Sequence, residues 1–413
     1  MNIKSSEIKL KNIFGDLTGG ALGAVIALPQ ALAFGVAIGT GASSGLWGAI
    51  ILCFTVGLLG CNQPLLSGPT GPAAIVCASA LTVLNGSTQS LFAVIFLAGL
   101  FQIILSRTNL TQIVKYVPYP VISGFMNAVG VILIILQLNP FLGAKSLPTP
   151  MLALKGFLSA LQNVNESALL IGILTLTIIF ATPKYITKII PSQILALVVS
   201  TIVSALYNFD LPTVGGVTSK LPSVIWADFS NIKTLLIPAL IIAIVCTSES
   251  LLTNLVVDSL TKTNCNTKKM VLSQGVGNML CSLFGAVAGS GATMRSAAAI
   301  KAGAKTRFCA IVCAIILLLT VLFAHDFANK IPLSALAAIL FKVGLDIVDT
   351  KLLKIVKYAP KQDLAVMFTV FFLTIFYDLI LGVSTGIVLS ALIFAKQLAD
   401  STNVKFKDIE DKH

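Results

Sequence analysis

Apolar stretches of about 20 residues recur along the whole chain, and only short polar segments separate them. A helix needs about 20 apolar residues to cross the hydrocarbon core of a bilayer, so the pattern indicates membrane-spanning helices. We therefore predict an all-α polytopic membrane protein with 14 spans. The predicted spans are 18–38, 44–61, 68–85, 90–107, 117–138, 167–183, 189–207, 234–255, 266–287, 290–303, 307–325, 331–347, 362–380 and 381–398.

The composition supports a membrane protein and argues against a soluble enzyme. Of the 413 residues, 56% are hydrophobic and only 11% are charged, whereas a soluble domain carries roughly 25% charged residues. The two histidines are too few for a histidine-based catalytic or zinc site. The eight cysteines show neither metal-ligand spacing nor a disulfide framework, and we interpret them as small core residues. We predict that the protein is not an enzyme and has no resident cofactor.

The net charge of +12 is explained by membrane topology. With the polar segment 1–17 in the cytoplasm and 14 crossings, 22 of the 28 lysines and arginines fall inside and five outside. Because basic residues favour cytoplasmic loops, this distribution predicts cytoplasmic termini, the second in a short tail, 399–413. The charge thus indicates a lipid bilayer, rather than nucleic acid, as partner. Short loops and the missing transit signal favour a prokaryotic inner (plasma) membrane.

Spans 3 and 10 differ from the others, because each opens with a glycine-rich segment that forms helix poorly. The segment 67–74 reads SGPTGPAA, and the segment 288–298 reads AGSGATMRSAA. The two spans are seven positions apart in the order of spans, which predicts two repeats, 18–207 and 234–398, of opposite orientation. Interrupted helices at matching positions of inverted repeats are the best sequence indication of a transporter binding site.

If spans 3 and 10 are half-helices, their N-termini present free N–H groups and the positive ends of helix dipoles. Two such ends that face each other form an anion site without any metal. The residues expected to bind substrate at these ends are Thr70, Gly71, Gly291, Ala292 and Thr293. The alternative is that the glycines only allow close helix packing.

Two charged residues lie deep in apolar sequence of predicted spans, Arg295 about three residues into the half-helix of span 10 and Glu249 within span 8. Because an arginine inside a membrane is costly, we expect Arg295 to face a cavity beside the substrate, with Glu249 as its partner. Glu249 could also hold a proton, or bind a cation together with Thr253 on the same helix face. The alternatives are an Arg295 in an interfacial loop and a purely structural ion pair. Asp258 is expected to anchor a loop.

Span 1 contains a proline, Pro29, that opens the helical hydrogen-bond ladder locally. Gln30 and Phe34 follow it and lie on one helix face, because they are four residues apart. We expect these two side chains to line the substrate cavity, with simple helix packing as the alternative.

These motifs resemble the SulP family of anion permeases, especially its bicarbonate-transporting BicA-type members, over nearly the whole chain. The segments that carry the resemblance are 27–34 (ALPQALAF), 68–72 (GPTGP), 251–260 (LLTNLVVDSL), 291–294 (GATM) and 343–349 (VGLDIVD). The resemblance implies 14 spans in two inverted repeats of seven spans each, forming UraA-like core and gate domains. It also implies an elevator motion of the core and a homodimer.

For the site, the resemblance implies bicarbonate near Thr70 and the backbone of Ala292 and Thr293. It implies a sodium ion held by Glu249, Thr253 and the turn of span 10 at Thr293. Two positions depart from the BicA type, where an aspartate corresponds to Glu249 and a small residue to Arg295. Because a nearby guanidinium would repel sodium, sodium coupling is in question. We also expect no STAS domain, since the sequence stops soon after span 14.

The most favoured function is secondary active transport of a small oxyanion, with bicarbonate ahead of sulfate. Sulfate is favoured by Arg295, because a divalent anion gains more from a fixed positive charge. An anion channel or exchanger on the same fold would also account for the motifs. A nucleobase permease is a further candidate, against which the charge of Arg295 argues.

Overall fold

The computed structural model describes residues 10–108, 119–147, 149–187, 191–207, 209–217, 221–348 and 360–377, with short stretches between 381 and 393. This part contains fifteen helices and two strands of two residues. The helices are α1 (Leu10–Ile38), α2 (Ala42–Leu59), α3 (Gly71–Val83), α4 (Thr88–Arg107), α5 (Tyr119–Phe141), α6 (Pro150–Gln162), α7 (Glu166–Ala181), α8 (Lys184–Thr187), α9 (Ser192–Leu206), α10 (Ile232–Thr261), α11 (Thr267–Leu283), α12 (Thr293–Lys301), α13 (Phe308–Asn329), α14 (Leu333–Ile347) and α15 (Lys361–Phe376). The strands are β1 (Ser67–Gly68) and β2 (Ser290–Gly291).

The helices follow the apolar pattern of the sequence closely. Each of the first thirteen predicted spans overlaps one helix, whereas α6 and the short α8 were not predicted as spans. The last predicted span, 381–398, is described only in part, in short helical stretches between 381 and 393. Six described helices are long and apolar enough to cross a membrane, or seven if α6 and α7, which meet at 116°, form one span. The protein is thus a multi-pass helical membrane protein.

Spans 3 and 10 are short helices, as their glycine-rich beginnings predicted. α3 has 13 residues and α12 has nine, and an extended strand precedes each of them. The two strands pair antiparallel, with Ser67 opposite Gly291 and Gly68 opposite Ser290. The two helical breaks therefore meet, and the contact between them is a backbone pairing that the sequence did not reveal.

The chain divides into two compact units. The first comprises Met1–Lys115 and Leu133–Val343, and the second comprises Tyr116–Ile132 and Gly344–His413. In the first unit, α1 packs against α2, α3, α12 and α13, while α11 packs against α2 and α4. In the second unit, Val121, Val366 and Val370 form an apolar cluster. Each predicted repeat contributes residues to both units, so the repeats are not separate folding units.

The segment before β2 is fixed by a buried polar network between α4, α10 and α11. Asn278 donates from Nδ2 to Gln102 (2.8 Å) and accepts at Oδ1 from the backbone N–H of Gly289 (3.0 Å). Gln102 donates in turn to Thr247 (3.3 Å). These side chains are buried, and unpaired polar groups in such surroundings would be costly. The network therefore holds the entrance to β2 in one position.

A disulfide joins Cys61 to Cys265, with the two Cα atoms 5.8 Å apart. This corrects the interpretation of all eight cysteines as unpaired core residues. Cys61 follows α2 and Cys265 precedes α11, so the two meet only because the turns at these helix ends pack together. A separation of 204 residues leaves no local sequence signal for such a pairing. Asp258 accepts hydrogen bonds from Gln63 and from the Cys265 N–H, and thus anchors the same two turns, as expected.

Candidate functional site

The N-termini of α3 and α12 begin where β1 and β2 pair. The residue before each helix, Thr70 for α3 and Ala292 for α12, does not cap its helix with a side chain. The first N–H groups of a helix have no acceptor within that helix. Pro72, in the first turn of α3, lacks an N–H and suits this position. The junction of the two strands therefore offers backbone donors and two positive helix ends to a ligand.

A cluster of three oxygens lies at this junction. The Thr70 hydroxyl donates to Glu249 Oε2 at 2.7 Å, and the Ser290 hydroxyl donates to the same oxygen at 2.5 Å. The two hydroxyl oxygens lie 2.8 Å apart. Glu249 comes from α10, whereas Thr70 and Ser290 come from the two breaks. The carboxylate thus links α10 to both half-helix segments.

A second group of oxygens lies one turn further along α10. Thr253 Oγ1 donates to the Gly291 carbonyl at 2.9 Å and lies 2.7 Å from Thr293 Oγ1. Ser250 accepts a hydrogen bond from the Gly291 N–H at 3.0 Å. With Glu249, these groups form one face of α10 against β2 and the start of α12. The structure therefore brings together the residues proposed for a cation: Glu249, Thr253 and Thr293.

Arg295 occupies a different position from the one expected. Its side chain is almost fully buried, and Nη2 donates to the Pro69 carbonyl at 3.0 Å. A Cβ on Gly68 would lie 2.9 Å from Arg295 Nη1 and 3.3 Å from Ala49 Cα in α2, so the guanidinium contacts the β1 segment near α2. Within the described residues, no ion pair joins it to Glu249 or to another carboxylate. The expected direct ion pair is thus not formed, because Thr70 and Ser290 hold Glu249 while a backbone carbonyl holds Arg295. The two charges still attract each other through space.

The absence of that ion pair has an electrostatic consequence. Arg295 Nε has no hydrogen-bond partner in the described part of the chain. The guanidinium is therefore a buried charge next to two positive helix ends, and the Glu249 carboxylate attracts it only from a distance, without a hydrogen bond. In surroundings of low dielectric constant such a charge acts more strongly than in water. The junction is thus suited to a negatively charged ligand.

The two residues predicted from span 1 lie on α1, which packs against both α3 and α12. Phe34 is buried and Gln30 is partly buried. Among the described residues, no hydrogen bond joins Gln30 to the oxygens of the junction. Their role in lining a substrate cavity stays a prediction.

Sequence reasoning missed two contributors to the junction, Ser290 and the carbonyl of Pro69. Ser290 lies in the glycine-rich segment before span 10, but only the pairing of β2 with β1 shows that its hydroxyl reaches Glu249. The Pro69 carbonyl carries no sequence signal at all, because any residue has such a group.

Known proteins resemble this chain over most of its length. Residues 13–370 match the model of the sulfate permease family. The bicarbonate transporter BicA of a Picosynechococcus species is 37% identical over 424 residues, covering 98% of this chain and 74% of the relative. The solved transmembrane domain of a cyanobacterial bicarbonate transporter BicA superposes with a TM-score of 0.86 at 38% identity, covering 91% of this chain and 98% of that one. The murine anion transporter Slc26a9, in an inward-facing state, superposes with a TM-score of 0.85 at 20% identity, covering 96% of this chain and 70% of that one. At this identity the likeness concerns the fold alone.

Proposed function

The chain belongs to the sulfate permease family, and on this basis we propose that it is a secondary active transporter that moves bicarbonate across a membrane. The family and the relatives are transporters, and none of these proteins is an enzyme. The observation that carries the proposal is the pairing of β1 with β2, because it brings two helix N-termini and a buried arginine to one point.

The anion binds between the two half-helices in this proposal. The N–H groups of Gly71 and Thr293, at the starts of α3 and α12, are the donors, and helix N-termini are common sites for oxyanions. Thr70 and Ala292 border the site: in this structure the Thr70 hydroxyl donates to Glu249, and the Ala292 N–H donates to the Leu66 carbonyl. Gly291 allows the backbone to approach closely. Arg295 acts through its charge and by holding the Pro69 carbonyl, while Gln30 and Phe34 form the wall contributed by α1.

Bicarbonate is favoured over sulfate because two of the three relatives described above are named bicarbonate transporters and match nearly the whole chain. Sulfate remains the second candidate, for two reasons. The family as a whole is described by sulfate transport, and the charge of Arg295, which forms no direct ion pair, would stabilise a divalent anion more than a monovalent one. An anion channel or exchanger on the same fold is the third candidate.

The proposed architecture has 14 spans in two inverted repeats, arranged as UraA-like core and gate domains. Helices that coincide with thirteen of the predicted spans support this count. Transport by an elevator motion, assembly as a homodimer, and an inner (plasma) membrane location with both termini in the cytoplasm belong to the same proposal.

Sodium is the proposed coupling ion. A carboxylate, two threonine hydroxyls and a backbone carbonyl lie in two neighbouring groups along one face of α10, and hard cations prefer such oxygen ligands. The guanidinium of Arg295 contacts the β1 segment near α2 instead of pairing with Glu249, which leaves the carboxylate available to a cation. The argument against sodium from a neighbouring guanidinium is therefore weaker than the sequence suggested.

The test is uptake of labelled bicarbonate and labelled sulfate into proteoliposomes, with sodium present or replaced by choline. We expect saturable bicarbonate uptake that an inward sodium gradient drives above equilibrium. Uptake that follows only the membrane voltage and needs no counter-ion would indicate a channel. Saturable uptake without any sodium effect would contradict sodium coupling, and a preference for sulfate would reverse the order of substrates.

A further inference from the structure

The first unit contains a cavity of about 200 Å³ that is separate from the half-helix junction. We call it the entry cavity and define it by the residues that line it: Ala33, Val36, Ala37, Gln137, Pro140, Gly143, Ala144, Lys145, Ser146, Pro212, Leu333, Leu336, Ala337 and Leu340. One water takes about 30 Å³ of liquid volume, so the entry cavity has room for a small oxyanion with several waters. Most of its walls are apolar, and the polar side chains that reach it therefore determine what it can bind.

Gln137 is the buried polar group of the entry cavity. It is 4% exposed, and its Nε2 has no hydrogen-bond partner in the part of the chain that the structure describes. The hydroxyl of Ser334, next to the lining residue Leu333, is also buried without a partner. Leaving a buried donor unpaired destabilises the protein, so a ligand that accepts a hydrogen bond from Gln137 would recover this cost.

Lys145 supplies a positive charge at the same cavity. It is exposed, and no carboxylate lies within salt-bridge distance of it among the described residues. An unpaired lysine beside an amide donor and apolar walls favours an anion, because the low-dielectric walls focus the field of the charge. Lys145 is also one of the five basic residues predicted to lie outside the membrane.

The entry cavity shares a face of α1 with the substrate site predicted from the sequence. Ala33 and Ala37 line the cavity. Gln30 lies three residues before Ala33 and seven before Ala37, so these three residues are on one side of the helix. An anion in the entry cavity is therefore one to two helical turns along α1 from the Gln30 side chain.

We propose that the entry cavity is a second anion site, in which Lys145 and Gln137 hold the incoming oxyanion before it reaches the half-helix junction. The proposal rests on the proposed function, because it assumes that an oxyanion is the substrate. It assigns the capture of external substrate to a loop lysine and a buried amide, neither of which belongs to the junction.

The first experiment measures initial rates of bicarbonate uptake into right-side-out vesicles against external bicarbonate. We expect Lys145→Gln to raise the external KM about fivefold and Lys145→Glu to raise it further, with the maximal rate unchanged. Lys155→Glu is the matched control, because it makes the same charge change on an exposed lysine of the same predicted side but outside the cavity. Equal KM values for Lys145→Glu and Lys155→Glu would overturn the proposal. No uptake by the unchanged protein would instead refute the proposed function.

A second experiment changes the charge at position 145 by chemical modification of a single variant. The six free cysteines of the described chain are buried, so Lys145→Cys provides a single accessible thiol. A cationic methanethiosulfonate reagent should restore the external KM, and an anionic one should raise it. Saturating bicarbonate should slow both reactions. Identical effects of the two reagents would show that bulk, and not charge, matters at this position, and would overturn the proposal.

The buried amide is tested by Gln137→Leu, which keeps the volume and removes the donor. We expect a raised external KM, while the KM for anion leaving from the inner side stays unchanged. A variant that changes both KM values equally, or only the maximal rate, would show that Gln137 acts through the fold, which contradicts an entry site.

Discussion

Arg295 is a buried cation whose hydrogen-bond partner is a backbone carbonyl. A membrane-embedded arginine is expensive, and such residues usually serve function. The bond to Pro69 orders the guanidinium without cancelling its charge, which an ion pair with Glu249 would have done. The residue therefore connects the two half-helix segments and makes their junction electropositive at the same time.

Replacing Arg295 by alanine tests this dual role. A hydrogen bond to a charged group contributes about 1.5–3 kcal/mol, so Arg295→Ala should weaken anion uptake about tenfold or more while the protein still inserts. Lys301→Ala removes an exposed charge at the other end of α12 and is the control. The measurement is bicarbonate uptake per amount of reconstituted protein. Near-normal uptake by the Arg295→Ala protein would refute the assigned site.

Glu249 accepts both of its hydrogen bonds at one oxygen, Oε2, which makes glutamine a well-matched replacement. In Glu249→Gln, the hydroxyls of Thr70 and Ser290 can still donate to the amide oxygen. We expect the stimulation of uptake by sodium to disappear, with some sodium-independent uptake remaining. The exposed Glu166→Gln is the control. An unchanged dependence on sodium concentration would exclude Glu249 as a sodium ligand.

The sequence identified the charged residues of the junction but not their partners. Arg295 and Glu249 stood out because ionisable groups inside predicted spans are rare. The atom that each side chain reaches depends on the position of that side chain relative to β1. The packing of α2 and α10 sets this position. Nothing in the local sequence encodes this choice. The Ser290 hydroxyl was missed for the same reason.

At the scale of elements, the critical feature is the two-residue pairing of β1 with β2. The strands approach so closely that a Cβ on Gly289 would lie 2.2 Å from the Gly68 carbonyl oxygen. Glycine-rich segments predicted the breaks, because glycine forms helix poorly. The pairing itself joins segments far apart in the chain, and two-residue strands leave no alternating pattern in the sequence.

Gly289→Ala should disturb this pairing. The added methyl group must displace the β1 backbone, so we expect a lower temperature of thermal unfolding in detergent and a loss of uptake. Gly291→Ala is the comparison, because the nearest atom to its Cβ would be the Thr253 side chain, at 3.1 Å. Gly289→Ala should be the less stable of the two. If both variants unfold at the same temperature as the unchanged protein, the close approach of Gly289 to the Gly68 carbonyl is contradicted.

The disulfide between Cys61 and Cys265 predicts a thiol count. Of the eight cysteines, six are free, so the denatured protein should react with six equivalents of an alkylating reagent before reduction and eight after it. Mass spectrometry of unreduced peptides should find the two turn segments linked. Eight reactive thiols without prior reduction would show that the bridge is absent in the protein as purified.

At the scale of the whole molecule, composition and apolar periodicity were enough to predict a multi-pass membrane protein. Both properties are averaged over the entire chain, so an error at a single position does not change the prediction. The predicted repeats did not reveal the division into two units, because each repeat contributes residues to both. Such a division depends on contacts between distant segments, which one sequence does not contain.

The distribution of basic residues makes a prediction about topology at this scale. If both termini are cytoplasmic, a fluorescent protein fused to either end should fluoresce, and alkaline phosphatase at the same ends should be inactive. Phosphatase fused after Lys145 should be active, since that loop is predicted outside. Active phosphatase at the C-terminus would invert the assignment of the loops in the second repeat.

The pairing of β1 with β2 also bears on the origin of the molecule. Both strands are the dipeptide Ser-Gly, and each serine lies opposite the glycine of the other strand. The contact is thus self-complementary, as at an interface of two identical subunits related by a two-fold axis. Two copies of a single repeat, inserted into the membrane in opposite directions, would make this contact with each other. If the two proposed repeats arose by duplication of one gene, the junction is the contact that an antiparallel dimer of its product would have held at its centre.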